Sequence, residues 1–321
     1  MIDLVRSTVG KHIAVLQLAW FTCFAGLISA AIVNHPAAFW SEPAIDVNAA
    51  AAWVSGNNPW AAEWNGIRFA GPPTMLLPYT PLVAIGPEAS RWLVGGICLL
   101  AAIAAIRMSR IPWWWLAWPP LFYAVIHASF DSVIPALIVG GVGGLAAFVK
   151  PYVAVVVSPR QLAVLFVLLL VTFPFLPWSG FLHELGTIQD SFRTQSLALS
   201  VFGQPLVMIA VAVAAWRVGP DARWLIVPAL WPLAQFQYGA MTLPFVARRP
   251  LLAMGLAVPL PGAAAATLIA WGLLSTVQQA REHQRRQAPG RRFLPDIGVA
   301  RGPSVEPEQR DGLRPDSAEP P

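Results

Sequence analysis

Charged residues are scarce in this 321-residue chain: Asp, Glu, Lys and Arg together make up 12%, whereas hydrophobic residues make up 56%. Ordinary water-soluble domains carry about twice that share of charge, so a soluble globule is excluded. Cysteine is also scarce. Cys23 and Cys98 both lie in apolar segments, which leaves no basis for a disulfide framework or a thiolate metal site.

The sequence contains long apolar segments without charged residues. Several charge-free runs approach the roughly 20 residues that a helix needs to cross about 30 Å of hydrocarbon. The clearest, IAVLQLAWFTCFAGLISAAIV, covers residues 13–33 and follows Arg6 and Lys11. No small-residue cleavage site comes after it, so a retained first helix with a cytoplasmic N-terminus is expected. The sequence therefore predicts a multi-pass protein of the cell membrane.

The positive-inside rule orders the remaining segments. Residues 72–86 contain four prolines and are predicted to form an interfacial or re-entrant element rather than a span. The predicted fold is all-α and polytopic, with about eight transmembrane helices, in a range of about seven to ten. Interfacial helices are expected in two extracytoplasmic loops, 34–88 and 178–196. The spans are predicted at 13–33, 89–106, 112–127, 131–157, 161–177, 197–216, 224–246 and 250–276, and the fourth is expected to be broken around GGVGG and Lys150-Pro151.

The basic residues follow the same topology. An isoelectric point near 9.8 is compatible with nucleic-acid binding. However, the excess of basic residues lies in short loops and in AREHQRRQAPGRR after the last span, so no nucleic-acid partner is expected.

Residues 1–276 form the predicted membrane domain, and residues 277–321 form a basic and then disordered cytoplasmic tail. Arg248 and Arg249 fall on the outer side. Either they bind an anionic headgroup, or the last two helices are misplaced.

The first loop contains the stretch SEPAIDVNAAAAWVSGNNPW. Its alanines predict a helix. Asp46 has two interpretations: it caps that helix, or it is a general base that takes a proton from an acceptor hydroxyl at the membrane surface. GNNPW and AGPP are typical of turns. Arg68, between them, is either solvated or paired with a lipid headgroup, and Glu42 and Glu63 are expected at the rim.

Polar side chains also occur within two of the apolar segments. Lys150 lies within an apolar segment, where a charge at the bilayer centre costs about 2.5 to 3.5 kcal/mol. It either snorkels to the interface or faces a partner, for which a phosphate is the natural choice. Gln235, Gln237 and Tyr238 are predicted within a helix, where they form interhelical hydrogen bonds or contact a polar ligand. The loop 179–196 contains neither a zinc-type His/Cys spacing nor a Gly-rich phosphate loop.

The order of these motifs resembles that of the GT-C membrane glycosyltransferases, and within them the bacterial polyprenol-phosphate-mannose-dependent mannosyltransferases. An Asp in the first external loop is followed by GNNPW, by PP before a short apolar element, and by GPEASRWLVGG opening a helix. GGLAAFVKPYVAV, FRTQSLALSVFG and AQFQYGAMTLP then resemble the family's Lys-Pro segment, its Asn-Gln-Ser-Leu loop and a late polar-aromatic helix. The resemblance covers approximately residues 12–250. HASFD departs from the family's usual Gly-Gln, and the two helices that flank Lys-Pro are compressed into one.

The resemblance implies an inverting transferase that moves mannose or a pentose from a polyprenyl-phosphate donor to an extracytoplasmic glycan, lipid or protein acceptor. Asp46 corresponds to the catalytic base. The donor phosphate is assigned to Lys150, Arg193 or Arg68, and the acceptor or sugar to Glu42, Gln195, Ser196 and Tyr238. No metal ligand and no cofactor besides the donor is assigned, and dependence on a divalent metal is left open.

Two other functions compete with this one. A transporter or flippase for a lipid-linked or small polar solute would use Lys150 and the broken helix at GGVGG as a midplane site, although no obvious internal repeat is present. A non-catalytic homologue would act as a membrane assembly partner.

Overall fold

Helices form most of the chain in the computed structural model, which describes residues 2–194, 199–232 and 234–287. Residues 1–276 make one compact unit, and 277–321 make a second. The predicted tail is helical as far as Gln287, and the rest of it lies outside the described residues. The α-helices are α1 (Ile2–Asn34), α2 (Glu42–Val54), α3 (Leu76–Tyr79), α4 (Gly86–Ser109), α5 (Pro119–Ile126), α6 (Ile134–Val139), α7 (Gly143–Val149), α8 (Pro159–Thr172), α9 (Trp178–Thr194), α10 (Pro205–Val218), α11 (Arg223–Leu230), α12 (Leu243–Val246), α13 (Pro250–Leu256) and α14 (Ala263–Gln287). The predicted all-α class is confirmed.

Within the part of the chain that the structure describes, two helical segments are long and apolar enough to cross a membrane, His12–Asn34 and Pro73–Ser109. The first agrees with the helix predicted at 13–33, and the second contains the helix predicted at 89–106. Prolines break the start of the second segment into short turns, and Gly86 (φ +78°) separates these from α4. Both segments support membrane association.

The outer surface of the helices carries large apolar side chains. Leu206, Trp113 and Phe175 are 81%, 80% and 76% exposed. Proteins dissolved in water rarely leave extensive apolar patches uncovered. This surface is consistent with contact with lipid chains.

The run 131–157 is broken at GGVGG and at Lys150-Pro151, as predicted, and it forms three short elements: α6, α7 and the 3-10 helix Pro151–Val155. α6 and α7 pack against each other, and the chain reverses between them at Gly140 and Gly141, where Gly141 has a φ of +79°. The reversal returns Lys150 to Asp131, with Nζ 3.6 Å from Oδ2. Glycine permits this positive φ without a steric penalty, so the GGVGG motif makes a turn between two short helices.

The single helices predicted at 224–246 and 250–276 are wrong, because each range is divided between separate shorter elements, the second between α13 and α14. Arg249 forms a salt bridge of 2.9 Å with Asp221, so the chain between them leaves one end of the bundle and comes back to it. α11 makes the outward leg, and the 3-10 helix Phe236–Thr242 with α12 makes the return. Pro228 lies inside α11, and Pro232 follows two residues after its end, where it cannot donate the backbone hydrogen bond that would continue the helix. Arg249 therefore lies at the same end as Asp221, not at the opposite end.

Close helix contacts hold α1, α5 and α13 together. Trp20 Nε1 donates to the Met254 carbonyl at 3.0 Å, and buried Trp118 Nε1 donates to the Ala253 carbonyl at 3.0 Å. Both bonds satisfy an indole N–H within an apolar region, where an unpaired donor is costly. This core fixes the start of α5; at the other end of α5, the His127 carbonyl accepts a hydrogen bond from the backbone N–H of Glu42, the first residue of α2.

Candidate active site

α2 presents two carboxylates on one face. The helix begins at Glu42, with Pro43 in its first turn, and Asp46 follows Glu42 at the i+4 position, which lies directly above it. The residue at the N-cap is Ser41. The interpretation of Asp46 as the helix cap is therefore wrong, because Asp46 lies inside the helix. It is 6% exposed and faces the interior of the protein.

A cavity of about 620 Å³ lies beside this face of α2. It brings together five residues predicted for the site, which come from the first loop, the Lys-Pro segment and the late polar segment: Glu42, Asp46, Arg68, Lys150 and Tyr238. Much of the remaining lining is apolar, from Ile45, Ile67, Phe69, Pro72, Met75, Leu165, Leu169, Trp178, Phe181, Leu185 and Trp231. The cavity can therefore hold a ligand that has both a polar head and an apolar chain.

Lys150 is fixed by a buried acidic partner. Its ammonium lies 3.6 Å from Asp131 Oδ2. Asp131 is fully buried, and its carboxylate accepts hydrogen bonds from the hydroxyls of Ser129 (2.7 Å) and Tyr152. Burial of an ion pair is tolerated when additional hydrogen bonds satisfy the remaining lone pairs. Lys150 at 8% exposure therefore does not snorkel to a distant interface but faces the cavity.

Tyr238 completes the surroundings of Lys150. Its ring lies 5.8 Å from Nζ and stacks on the ring of Tyr152 at a centroid distance of 4.3 Å. Tyr238 belongs to the 3-10 helix Phe236–Thr242 rather than to an α-helix as predicted. The two aromatic rings restrict the ammonium to one side of the cavity.

Burial raises the pKa of both carboxylates of α2. The pKa of Asp46 is raised to about 6 by desolvation and by the charge of Asp131, against the opposing effects of Lys150 and of a hydrogen bond with Tyr79. The pKa of Glu42 is raised further, to about 7, by desolvation and by the charges of Asp131 and Asp46, with Lys150 again opposing the shift. A carboxylate with a pKa near neutrality is suited to general acid–base catalysis.

Arg68 reaches the cavity from a short β-hairpin, β1 (Glu63–Trp64) and β2 (Ile67–Arg68), in which Glu63 is paired with Arg68. Asn65 and Gly66 form its turn, both with positive φ, as expected of an Asn-Gly hairpin turn. Arg68 is exposed, whereas Lys150 is buried. Glu63 is exposed on the hairpin and does not line the cavity.

The second loop supplies α9, which closes one flank of the cavity. Asn58 Nδ2 donates to Glu184 Oε1 at 2.9 Å, and the rings of Trp60 and Phe181 lie 5.7 Å apart. The GNNPW turn thus attaches the first loop to the second. Three predicted residues cannot be placed in the site: the side chain of Arg193, and Gln195 and Ser196 altogether, lie outside the described residues.

Several contributors were missed or left undecided by sequence reasoning. Asp131, which departs from the family pattern, is the ion-pair partner of Lys150. Gln237 Nε2 donates to Glu42 Oε1 at 2.9 Å and links two elements that are distant in sequence. The i+4 spacing of Glu42 and Asp46 was the one available signal that both carboxylates face the same space. No sequence pattern links Tyr79 to Asp46.

Among residues 2–194, 199–232 and 234–287, no group of three or more His, Cys, Asp or Glu side chains is arranged to hold a metal ion. Comparison of the chain with protein-family models, with curated proteins and with solved structures gives no match. The resemblance to GT-C enzymes therefore stays a prediction from the order of motifs. The geometry of the cavity is the independent basis for a functional interpretation.

Proposed function

We propose that the chain is a multi-pass, GT-C-like membrane glycosyltransferase that moves mannose or a pentose from a polyprenyl phosphate to an extracytoplasmic glycan, lipid or protein acceptor. One observation carries the proposal: Asp46 and Lys150, a candidate base and a candidate phosphate ligand, line one largely apolar cavity. We place both termini in the cytoplasm and the cavity at the outer face, within a bundle of about eight membrane passes.

Asp46 is the proposed general base. The oxygen of an acceptor hydroxyl attacks the anomeric carbon of the sugar, and Asp46 takes the hydroxyl proton. The bond between the anomeric carbon and the phosphate oxygen breaks, and its electron pair leaves with the polyprenyl phosphate. One displacement of this kind inverts the configuration at the anomeric carbon.

Lys150 is the proposed ligand of the donor phosphate. The departing polyprenyl phosphate gains negative charge, and a cation placed where that charge develops lowers the barrier. Lys150 is held in the cavity by Asp131, so little reorganisation is needed when the donor binds. Arg68, on the exposed hairpin, is placed to attract the donor at the entrance rather than at the reacting atoms.

The apolar lining is the proposed path for the polyprenyl chain. A lipid donor reaches its enzyme laterally from the bilayer, so its chain requires an apolar surface that leads to the polar site. Leu165 and Leu169 on α8, and Trp178 and Phe181 at the start of α9, provide such a surface.

The test is transfer by the purified full-length protein in proteoliposomes, with polyprenyl phosphates that carry labelled mannose or a labelled pentose. The wild type is expected to form a product of inverted anomeric configuration, and Asp46→Ala to lose about 10²- to 10⁴-fold in rate. Glu63→Gln, an exposed acidic residue outside the cavity, is the matched control and is expected to retain activity. Equal transfer by wild type and Asp46→Ala would remove Asp46 from the mechanism.

The same preparation separates the competing functions. A transporter or flippase would move the labelled lipid or solute across the membrane with no covalent product. A non-catalytic assembly partner would bind no donor at all. Either result would overturn the proposal of a glycosyltransferase.

A further inference from the structure

Gln237 carries a buried acceptor that is aligned by its neighbours. The residue is 3% exposed and lines the cavity. Its Nε2 donates to Glu42 Oε1 at 2.9 Å and to Gln235 Oε1 at 2.6 Å, which determines the orientation of the amide. The other amide atom, Oε1, is buried and receives no hydrogen bond from any residue that the structure describes.

His127 places a second such atom in the same part of the cavity lining. It follows the end of α5, and its carbonyl accepts a hydrogen bond from the Glu42 backbone N–H at 3.3 Å. Its ring packs on Tyr123 at a centroid distance of 4.2 Å, and both residues line the cavity. His127 Nε2 is buried, and within the described part of the chain it has no hydrogen-bond partner.

Two buried polar atoms without partners point to a ligand, because native proteins pair almost all such atoms. Gln237 Oε1 requires a donor, and a neutral imidazole nitrogen accepts or donates according to its tautomer. Phosphate oxygens cannot satisfy Gln237 Oε1. They accept hydrogen bonds, as that atom does, and their negative charge is repelled by the carboxylate of Glu42. Sugar hydroxyls both donate and accept, and the C–H face of a sugar ring packs on an aromatic ring such as that of Tyr123.

We infer that Glu42, His127 and Gln237 form a saccharide subsite of the cavity, distinct from the phosphate position at Lys150. The inference rests on the proposed function for the identity of the lipid-linked donor. The subsite binds a sugar ring, and this ring belongs either to the donor or to a glycan acceptor.

The experiment measures binding to the full-length protein in detergent, with three probes: polyprenyl phosphate, polyprenyl phosphate carrying mannose, and methyl mannoside added after polyprenyl phosphate. Gln237→Leu is expected to weaken sugar-dependent binding by about tenfold for each hydrogen bond lost. Its affinity for the sugar-free lipid is expected to match that of the wild type. His127→Phe retains the ring stacked on Tyr123 and removes both nitrogens, so it provides a second variant if Gln237→Leu does not fold.

Gln204→Leu is the matched control, because Gln204 is exposed and does not line the cavity. It is expected to bind all three probes as the wild type does. Loss of binding only for the mannose-carrying lipid assigns the subsite to the donor sugar. Loss of methyl mannoside binding, with binding of the mannose-carrying lipid unchanged, assigns it to an acceptor sugar.

Two other outcomes separate the inference from the proposed function. If folded Gln237→Leu and His127→Phe bind both the mannose-carrying lipid and methyl mannoside as the wild type does, the subsite is wrong and the proposed function stands. If the wild type binds methyl mannoside in a Gln237-dependent manner but no polyprenyl phosphate, the subsite stands and the proposed donor is wrong. Binding of none of the three probes by the wild type overturns both.

Discussion

Lys150 Nζ lies 3.6 Å from Asp131 Oδ2 within the interior of the protein, and the Asp131 carboxylate accepts further hydrogen bonds from Ser129 and Tyr152. The distance is that of an ion pair without a direct hydrogen bond. The ammonium is therefore held in place by charge, and it keeps N–H donors to offer a phosphate. The arrangement explains how a lysine can lie in a largely apolar cavity before any donor binds.

Asp131→Asn is expected to destabilise the protein, because it leaves the Lys150 ammonium buried without its acidic partner. Removal of one member of a buried pair costs about 3 to 5 kcal/mol. The midpoint of thermal unfolding in detergent measures the loss. Asp221→Asn breaks an exposed pair with Arg249 and is the control, with an expected cost of at most about 1 kcal/mol. Similar shifts in the two variants would contradict a structural role for the buried pair.

The proposed transfer reaction is expected to rise with pH through about 6, the raised pKa of Asp46. The sign follows from its role: Asp46 accepts a proton only when it is ionised, and the ionised fraction grows as the pH passes the pKa. Tyr79→Phe removes a hydrogen bond that lowers this pKa, so the inflection of the kcat/KM profile is expected to move to higher pH. Lys150 and Asp131, the charged groups that also act on Asp46, are retained in both proteins. An inflection that stays at the same pH in Tyr79→Phe would show that another group controls the profile.

Lys150→Met and Arg68→Gln are expected to affect different steps. Lys150 stabilises charge on the departing phosphate, so its loss should lower kcat by about 10²- to 10³-fold. Arg68 is exposed, and its loss should chiefly raise the KM for the donor. Steady-state kinetics at several salt concentrations distinguish these effects, because screening weakens the contribution of an exposed charge more. Arg160→Gln, which is exposed at the start of α8 and outside the cavity, should leave both constants unchanged.

Asp221 and Arg248 are expected to be accessible from the same side of the membrane, because the neighbouring Arg249 contacts Asp221. The variants Asp221→Cys and Arg248→Cys are made separately in a protein from which Cys23 and Cys98 have been removed. Each new thiol should react with a membrane-impermeant thiol reagent from one side of the membrane only. A cysteine at Glu63, in the first loop, should react from the other side. Labelling of 221 and 248 from opposite sides would restore the single crossing that the sequence predicted for 224–246.

Local amino-acid composition was sufficient to predict several of the helices. The long apolar run at 13–33 and the segment 89–106 are helical, and alanine-rich α2 forms where the first loop predicts a helix. These outcomes depend on propensity and on apolar length, which neighbouring residues determine. Asp46 and Lys150 were recognisable in the same way, as charged side chains in surroundings that make charge costly.

The pairing of distant residues depended on chain reversals that the hydrophobic pattern does not encode. The turn at Gly140 and Gly141 brings Asp131 to Lys150, and the turn after α11 brings Gln237 to Glu42. An apolar run has the same hydropathy whether it crosses a membrane once or turns back on itself, so hydropathy predicted a single pass over 224–246, where the chain reverses. By itself the sequence determined which segments are helical and which charges are unusual. Only the tertiary structure decided which of those charges meet, because that depends on packing between helices far apart in the chain.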